Sequence, residues 1–292
     1  MVLRLPSDPP SRAPATLANV RLNARAGNDR ARRWRPARDA LWQTLSRHLR
    51  TGGAVAVVGA GNADDLPLSR LASTADRVDL IDIDPDAPRW ARARLPRAQR
   101  RRVTVVHSDI TNGVADNLAL GAGGLPDGPP AGPIGHPPYD LVIGDLLYTQ
   151  LLGPALGDLK MNGEAIAQQL ANHGPALTAA VVERLHASAP VVVHVHDPLA
   201  WWPGHRQPFT IEQALRRATR DRSPAAVLAG ARQPVGCDPR PALLAQDHRI
   251  LETAWWRWPF TDGVDYLVCA TVAATARAAA PDRPGVAASP AR

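Results

Sequence analysis

The sequence predicts an α/β fold: a doubly wound, mostly parallel sheet of seven strands with an antiparallel C-terminal hairpin and helices on both faces. Two observations predict it. Five short apolar runs alternate with segments of helical periodicity between residues 54 and 220, as in parallel sheets with crossover helices. Two longer runs rich in β-branched and aromatic residues then flank Asp262-Gly263, a dipeptide that favours a tight hairpin turn.

The predicted strands are the apolar runs themselves, because a strand buried on both faces is nearly continuous in Val, Ile and Leu. The five parallel strands and the two hairpin strands are, in chain order, AVAVV (54–58), RVDLID (77–82), RVTVVHSD (102–109), YDLVIGD (139–145), PVVVHVHD (190–197), HRILETAWWRWPF (248–260) and VDYLVCATVA (264–273). The predicted helices fill the intervals between them.

Cap and breaker residues indicate where these helices begin and end. Asp84-Pro85 predicts a cap followed by the first helical residue, and Pro96 ends that helix. The other helices are expected near 68–72, 110–118, 164–187 with an interruption at Gly174-Pro175, and 211–220. Residues 222–246 hold four prolines and are predicted to be mostly loop with a short helix.

Composition divides the chain into four segments. Residues 1–32 are expected to be a basic, largely disordered arm, and residues 33–52 an N-terminal helix. The α/β domain spans 53–275 and carries an insertion at 119–138, where glycine and proline exclude regular structure. An Ala/Pro/Arg tail, 276–292, is predicted to be disordered.

The net charge of +7 is concentrated near the N-terminus. Residues 1–50 hold eleven arginines and three aspartates, whereas the rest of the chain is nearly neutral. A basic arm can bind nucleic acid or an acidic protein. A solvated, arginine-rich leader is the alternative, because no pattern gathers these arginines on one face.

Cysteine content and hydropathy indicate the compartment. Cys237 and Cys269 are too few for a disulfide framework or a zinc site, so a reducing, cytoplasmic setting is predicted, without a bound metal. No apolar run approaches the roughly 18 residues of a membrane span. The N-terminal arginines precede no apolar segment of a signal peptide.

A glycine turn follows the first predicted strand. Gly59 and Gly61 lie where an open α/β sheet binds its ligand, at the carboxyl ends of the strands. Glycine permits a tight turn there and a close approach of the backbone to a ligand. Asp82 ends the second strand 21 residues after Gly61, the spacing expected of a carboxylate that accepts hydrogen bonds from ribose hydroxyls.

Two aspartates at the mouth of the next helix discriminate between cofactors. A dinucleotide places its pyrophosphate at that helix N-terminus, but Asp64 and Asp65 lie there in this chain. A carboxylate near 4 Å from a phosphate costs about 1 kcal/mol in water, and several times more at a lower dielectric. The turn therefore favours a ligand that has a nucleoside and no phosphate, and especially one carrying an ammonium and a sulfonium.

These segments resemble the class I S-adenosylmethionine-dependent methyltransferases over roughly residues 53–273. VVGAGNADD, DLIDID, HSDI and YDLVIGD are similar to the family's first four motifs, and the final strand pair to its reversed last strand. The resemblance implies S-adenosylmethionine as cofactor. It would contact Gly59 and Gly61, with Asn62 or Asp64 near its amino acid part, Asp82 and Ile83 at the ribose, Asp109 and Ile110 at the adenine, and Asp145 near its methionine end.

Candidates for the acceptor chemistry lie where strands end. Methyl transfer is an in-line displacement, and a general base is needed only if the acceptor must lose a proton. Asp145, Tyr148 and His196 are predicted to be the catalytic side chains. His194 and His196 alternate along the fifth strand and are predicted to face opposite sides of the sheet, with His196 and Asp197 better placed at its carboxyl end.

Three functions stay open at this stage. The first is methyl transfer to an unidentified acceptor, for which a small molecule is the default. The second is a non-catalytic module of the same fold that binds a partner. The third, an NAD(P)-dependent oxidoreductase, is disfavoured by the acidic glycine turn. Trp201 and Trp202 follow the fifth strand and are either core residues or a surface on which an aromatic substrate stacks.

Overall fold

The computed structural model describes residues 13–24, 29–121, 132, 134–221, 223–232 and 238–275. Within these ranges no helix is both long and apolar enough to cross a membrane. The helices of the described residues are α1 Pro14–Ala24, α2 Arg30–Arg33, α3 Arg35–His48, α4 Leu68–Thr74, α5 Ala87–Ala93, α6 Arg97–Arg100, α7 Val114–Ala119, α8 Gly153–Asp158, α9 Gly163–His186, α10 Ile211–Asp221, α11 Pro224–Leu228 and α12 Arg240–Ala245.

One mixed sheet forms the centre of the fold. Its strands are β1 Ala54–Val58, β2 Arg77–Asp82, β3 Val103–His107, β4 Leu141–Asp145, β5 Val191–Trp201, β6 Arg249–Thr261 and β7 Val264–Ala274. They lie in the order β3-β2-β1-β4-β5-β7-β6. The first five are mutually parallel, and β7 is antiparallel to both of its neighbours. The predicted fold class is confirmed, including the C-terminal hairpin.

Strand β1 shows why the sheet must be covered on both faces. Its side chains alternate between two apolar cores, with Val55 and Val57 packed beside residues of α3 and α4. Ala56 and Val58 pack on the opposite face, beside residues of α8 and α9. Because β1 pairs with both β2 and β4, the winding direction reverses at β1. Open α/β sheets form their ligand crevice outside the carboxyl ends of the strands at such a point.

The long helix α9 differs from the prediction. It runs without a break from Gly163 to His186, although an interruption was expected at Gly174-Pro175. Leu177, Val181 and Leu185 bury one face of the helix, whereas Pro175 is on the exposed side. Proline removes one backbone hydrogen bond, and the packing of the buried face holds the helix together across that loss.

The helix after β2 begins two residues later than Asp84-Pro85 predicts. Asp86 precedes the first helical residue, Ala87. Asp84 still acts on this terminus, because its Oδ1 accepts hydrogen bonds from the backbone N–H groups of Asp86 at 2.9 Å and Ala87 at 3.3 Å. The predicted cap position and helix start are therefore both two residues too early, although the Asp84 side chain still accepts backbone N–H groups at this terminus.

The N-terminal arm was expected to be largely disordered, and this expectation is wrong for residues 14–24. They form α1, whose Ala15 N–H donates to Asp116 Oδ1 at 2.7 Å. Arg21 pairs with Asp158 at 2.7 Å, and Asn23 Nδ2 donates to Asp84 Oδ2 at 2.9 Å. These partners lie 61 or more positions further along the chain, so local composition contains no sign of them. Residues 1–12 lie outside the described part of the chain.

Several arginines of this basic region hold the N-terminal helices to the rest of the protein. Arg33 pairs with Asp262 at the hairpin turn at 2.6 Å. Arg47 pairs with Glu252 on β6. Arginines that are paired within the protein favour the solvated, arginine-rich leader over a continuous basic face for a partner. Each of these exposed ion pairs contributes little to stability.

The predicted insertion 119–138 lies partly outside the described residues, which omit 122–131 and 133. The C-terminal end of this segment packs against the domain, because Ile134 is buried in the core beside α9. The His136 backbone N–H donates to the Tyr139 hydroxyl at 2.5 Å, and Tyr139 in turn donates to Asp79 at 2.7 Å. The predicted tail, 276–292, also lies outside the described residues.

Candidate functional site

A cavity of about 490 Å³ opens at the carboxyl ends of β1, β2, β4 and β5. The turn after β1 forms one wall, and α1, the start of α3 and the C-terminal hairpin form the others. The charged side chains on its walls are mostly acidic: Asp64, Asp65, Asp82, Asp145 and Asp197, beside Arg30 and Arg232. Sequence reasoning placed the crevice at this edge of the sheet.

The glycine turn requires glycine for two separate reasons. Gly59 has φ +78°, and a Cβ on it would lie 2.8 Å from the Asp145 carbonyl oxygen at the end of β4. Gly61 has φ +45°, and its Cβ would lie 3.0 Å from Asn23 Oδ1 on α1. Side chains at either position would be strained by the backbone conformation and crowded by neighbouring segments. The turn thus brings bare backbone to the cavity wall.

Asp82 holds the glycine turn and faces the cavity at the same time. Its Oδ2 accepts the Gly61 N–H at 2.7 Å, and its Oδ1 accepts the Asp84 N–H at 2.8 Å. Burial raises the pKa of Asp82 to about 6, although both backbone N–H donors act to lower it. A carboxylate oxygen has a second lone pair, so both oxygens retain the capacity to accept a hydroxyl of a ligand.

The two adjacent aspartates of the turn have different environments. Asp64 is ion-paired with Arg94 at 2.7 Å, and its carbonyl oxygen accepts a hydrogen bond from Arg38. Asp65 also lines the cavity, and burial raises its pKa to about 6. Asn62 lines the cavity as well, but its side-chain amide donates to the Asn23 carbonyl oxygen at 2.8 Å. Of the two aspartates, Asp65 is therefore the one with no ion pair among the described residues. The predicted site omits it.

Asp145 carries the least compensated charge of the site. Its side chain is buried, and its Oδ1 has no hydrogen-bond partner among the described residues. Burial raises the pKa of Asp145 well above its usual value, and the neighbouring carboxyls of Asp65 and Asp82 raise it further. A positively charged ligand in the cavity would offset this desolvation and repulsion.

A second, smaller cavity of about 60 Å³ continues from the first, since Gly59 and Asp82 line both. Ile83, Asp109 and Ile110 lie on its walls, as the resemblance implies for an adenine site. The Asp109 carboxylate shapes the loop after β3, because it accepts the Thr111 N–H at 2.7 Å. Since a water occupies about 30 Å³, this space would have to widen to accept a purine ring.

Helix α1 is the element that restricts the smaller cavity. Ala15 and Asn19 of α1 line it, and Asn19, Leu22 and Asn23 also line the larger one. The helix is therefore a cover over the glycine turn and Asp82. Sequence reasoning missed it because α1 is weakly amphipathic and its acidic partners belong to distant segments.

Tyr148 and His196, two of the three predicted catalytic residues, do not line either cavity. The Tyr148 hydroxyl pairs with His194 Nδ1, and His194 Nε2 lies 3.1 Å from His186 Nε2. His196 is fully buried, with its Nε2 3.6 Å from an Asp238 carboxylate oxygen. The structure gives these two residues packing roles and leaves Asp145 as the predicted catalytic residue that reaches the cavity.

The expectation that His194 and His196 face opposite sides of the sheet is wrong. Residues two apart on a strand point to the same face. His194 packs with the helix-side residues Tyr148 and His186, and His196 lies on that same face near Asp238. Asp197, the next residue, faces the cavity. Within the described residues no group of three or more side chains is arranged to hold a metal ion.

The buried histidines predict acid sensitivity. Burial lowers the pKa of His196 to about 4 and that of His186 to about 3. As the pH falls, these histidines are protonated in the unfolded chain at a higher pH than in the folded protein. The free energy of unfolding is therefore highest above pH 6.5 and decreases as the pH drops towards 4. We expect His196→Leu to remove about 3 kcal/mol of this acid-induced loss, measured by urea unfolding from pH 7 to pH 4. Parallel pH profiles of the variant and the wild type would contradict this assignment.

Aromatic side chains form the remaining walls of the larger cavity. Trp34, Trp258, Phe260 and Tyr266 line it, and so does Trp202 at the mouth. Trp202 is 42% exposed and stacks on His205 at 3.9 Å. Trp201 instead packs against Phe209 and donates its indole N–H to the Phe209 carbonyl oxygen at 3.0 Å. Of the predicted pair, only Trp202 is available to a ligand.

Comparison with known proteins gives similarity of structure without similarity of sequence. No family model matches the chain, and no curated protein matches it. Magnesium protoporphyrin IX methyltransferase from Synechocystis PCC 6803 is 16% identical with a TM-score of 0.42, over 87% of this chain and 93% of that one. An S-adenosylmethionine-dependent methyltransferase from Methanosarcina mazei is 10% identical with a TM-score of 0.43, over 80% and 96%.

A third structure, an S-adenosylmethionine-dependent methyltransferase from Aquifex aeolicus, is 13% identical with a TM-score of 0.40, over 88% of this chain and 97% of that one. The assignment of the fold rests on the strand order of the chain itself. Its sheet, β3-β2-β1-β4-β5-β7-β6 with β7 reversed, is that of the class I methyltransferase fold.

Proposed function

We propose that the protein is an S-adenosylmethionine-dependent methyltransferase that acts on a small molecule. The observation that carries the proposal is the buried Asp145 carboxyl, whose Oδ1 has no partner among the described residues, beside Asp65 and Asp82 at a glycine turn. Two of these carboxyls have pKa values raised to about 6. A ligand with a sulfonium and an ammonium stabilises such a group of carboxylates, whereas a neutral ligand leaves their repulsion in place.

The residues of the two cavities fit this cofactor. The Gly59–Gly61 backbone would lie along it, and Asp82 would accept the ribose hydroxyls. Asn62 and Asp65 would meet its amino acid part, beside Asp64, and Ile83, Asp109 and Ile110 would surround the adenine once α1 has moved. Asp145 would lie near the sulfonium. When bound, the cofactor supplies an activated methyl group, and the protein contributes chiefly proximity and orientation, worth up to about 7–11 kcal/mol.

The same charges argue against a dinucleotide. Five aspartates line the cavity, and Asp64 and Asp65 lie where a pyrophosphate would bind. A nicotinamide oxidoreductase would have to hold two phosphates against these carboxylates, at a cost of about 1 kcal/mol or more for each close pair.

Two features support a small acceptor. The cavity volume, about 490 Å³, is in the range of small-molecule sites, about 300–1,000 Å³, and the cofactor would fill part of it, which leaves room for a small acceptor. The basic N-terminal region uses Arg33 and Arg47 in internal ion pairs. An RNA or an acidic protein as acceptor would instead make binding fall steeply with added salt.

Cofactor binding is expected to strengthen as the pH rises from 5 to 7. The carboxyls of Asp65 and Asp82, with pKa values raised to about 6, lose their protons over this range. Because the positive ligand binds the ionised forms better, its binding also releases protons. Calorimetry with S-adenosylmethionine at pH 5 and pH 7.5, in two buffers of different ionisation enthalpy, measures both effects. We expect micromolar binding at pH 7.5 and an affinity at least 10-fold weaker at pH 5.

The outcomes of this experiment separate the candidate functions. No heat with S-adenosylmethionine or S-adenosylhomocysteine at pH 7.5 would overturn the proposal and favour the non-catalytic module. Energy transfer from the tryptophans to bound NADH would favour the oxidoreductase. Binding without methyl transfer to any acceptor would leave a cofactor-binding protein that is not an enzyme.

A further inference from the structure

The outer half of the larger cavity is a rigid aromatic wall. Trp34 stacks on Phe260 with ring centroids 5.6 Å apart and meets Trp258 edge to face at 4.9 Å. Trp258 and Phe260 both contact Tyr266, at 5.6 and 5.4 Å. The Trp34 indole N–H donates to the Phe260 carbonyl oxygen at 3.0 Å, which fixes the ring. All four side chains line the cavity.

One polar atom of this wall has no partner. The Trp258 indole N–H is buried and makes no hydrogen bond within the described residues. Most buried polar groups are hydrogen-bonded, so this donor is an exception, although the nitrogen itself is covered by protein and is not exposed to the cavity.

Asp197 is the acid of this half of the cavity. It lies within β5, at an irregularity in the pairing with β7 between His196 and Leu199. Its Oδ1 accepts the Thr149 hydroxyl at 3.0 Å, and both residues line the cavity. Its carboxyl contributes to the raised pKa of Tyr266. The aromatic wall and Asp197 are therefore neighbours.

Asp197 also stands apart from the acids of the cofactor half. The carboxyls that raise the pKa of Asp145 are Asp65 and Asp82, and Asp197 is not among them. Burial raises the pKa of Asp197 to about 7, against the hydrogen bond from Thr149, which lowers it. A carboxyl with this pKa takes up and releases a proton near neutral pH.

We propose that this half of the cavity binds an amine carried on a flat apolar body, and that Asp197 accepts the proton of its ammonium group. The proposal rests on the proposed function, because it names the acceptor class of the same site. Aromatic faces attract an ammonium and pack a flat apolar body. An anionic acceptor such as a carboxylate would be repelled by the ionised Asp197, and a neutral phenol could donate a hydrogen bond to it but would lack the charge attraction of an ammonium.

The proton and the methyl group balance in this scheme. The ammonium N–H bond breaks, and its proton moves to the Asp197 carboxylate, which leaves the nitrogen lone pair free. That lone pair forms a bond to the methyl carbon of the cofactor, and the carbon–sulfur bond breaks with its electron pair remaining on sulfur. The products are an N-methylammonium and a neutral thioether, and Asp197 returns its proton to solvent.

The test compares three probes of one shape: 2-phenylethylamine, 2-phenylethanol and 3-phenylpropionate. Each is titrated by calorimetry, with tryptophan fluorescence as a second readout, into the protein saturated with S-adenosylhomocysteine and into the free protein. We expect the amine to bind at least 10-fold tighter than the alcohol, and the carboxylate to bind weakest. Asp197→Asn should remove the preference for the amine and leave the affinities for the alcohol and S-adenosylhomocysteine within threefold.

Asp247→Asn is the matched control, because it makes the same change outside both cavities, and it should keep the preference. In the transfer assay, kcat/KM for 2-phenylethylamine should rise through pH 7 in the wild type and lose that rise in Asp197→Asn. Equal binding of amine and alcohol, or a preference that survives Asp197→Asn, would overturn the inference. Failure of S-adenosylhomocysteine to bind would overturn the proposed function, while the titrations of the free protein would still decide the role of Asp197.

Discussion

Asp82→Ala is expected to weaken the binding of S-adenosylmethionine by at least about 100-fold. In the proposed complex the Asp82 carboxylate accepts two ribose hydroxyls, and hydrogen bonds to a charged group contribute about 1.5–3 kcal/mol each. Two of them amount to roughly 3 kcal/mol or more, which corresponds to about two powers of ten in affinity. The substitution also removes the acceptor of the Gly61 N–H, so the glycine turn loses a support. Calorimetry at pH 7.5 measures the change.

A control separates this loss from a general effect of charge. Asp86→Ala removes a nearby acidic side chain that is exposed and forms an ion pair with exposed Arg89 at 3.0 Å. The affinity of the Asp86→Ala variant for S-adenosylmethionine should remain within threefold of that of the wild type. If Asp82→Ala retained wild-type affinity and the same melting temperature, the assignment of the ribose site to Asp82 would be wrong.

Asp145→Asn is expected to change stability and binding in opposite directions. The wild-type carboxyl is buried, has one oxygen without a partner, and lies near Asp65 and Asp82. The amide carries no charge, so it removes the desolvation and the repulsion that raise the pKa of Asp145, and the ligand-free variant should be more stable than wild type by roughly 1 kcal/mol or more. Because the pKa of Asp145 is raised in the folded protein, the folded wild type holds a proton that the unfolded chain has released, so the difference in stability should increase as the pH rises towards the folded pKa and level off above it. Thermal unfolding from pH 6 to pH 9 checks this.

The binding result of Asp145→Asn depends on the charge of the ligand. Loss of the carboxylate should weaken the binding of S-adenosylmethionine, which carries the sulfonium, by at least about 10-fold. S-adenosylhomocysteine, whose sulfur is neutral, should change by less than threefold. Asp76→Asn, an exposed acid outside both cavities, should alter neither ligand. Equal weakening of the two ligands would show that Asp145 supports the shape of the site and not its charge.

The core of the fold and the place of the crevice follow from short-range chemistry. The run Ala54–Val58 is a strand because it is apolar and bounded by glycine, and Asp262-Gly263 turns the hairpin as its residue types require. Gly59 and Gly61 adopt positive φ, as the turn after a buried strand predicts. Each inference used residues that act on their immediate neighbours.

Local sequence patterns could not predict which of two adjacent residues faces the cavity or forms an ion pair. Asp64 and Asp65 are chemically identical in the sequence, and both line the cavity, but Arg94, thirty positions away, forms its ion pair with Asp64. His196 and Asp197 are likewise neighbours, and the pleat of β5 puts the histidine in the core and the carboxyl in the cavity. Such differences depend on which distant segment packs against each side chain.

The sequence by itself therefore determined the order and type of the strands, the glycine turn and the carboxylate that ends β2, because hydrophobic periodicity and turn chemistry are local properties. The tertiary structure decided that α1 covers the turn, that Asp145 is left without a full set of partners, and that Trp34 meets Phe260 across 226 positions of chain. Packing and desolvation set these features, and both arise only when segments far apart in the chain come together.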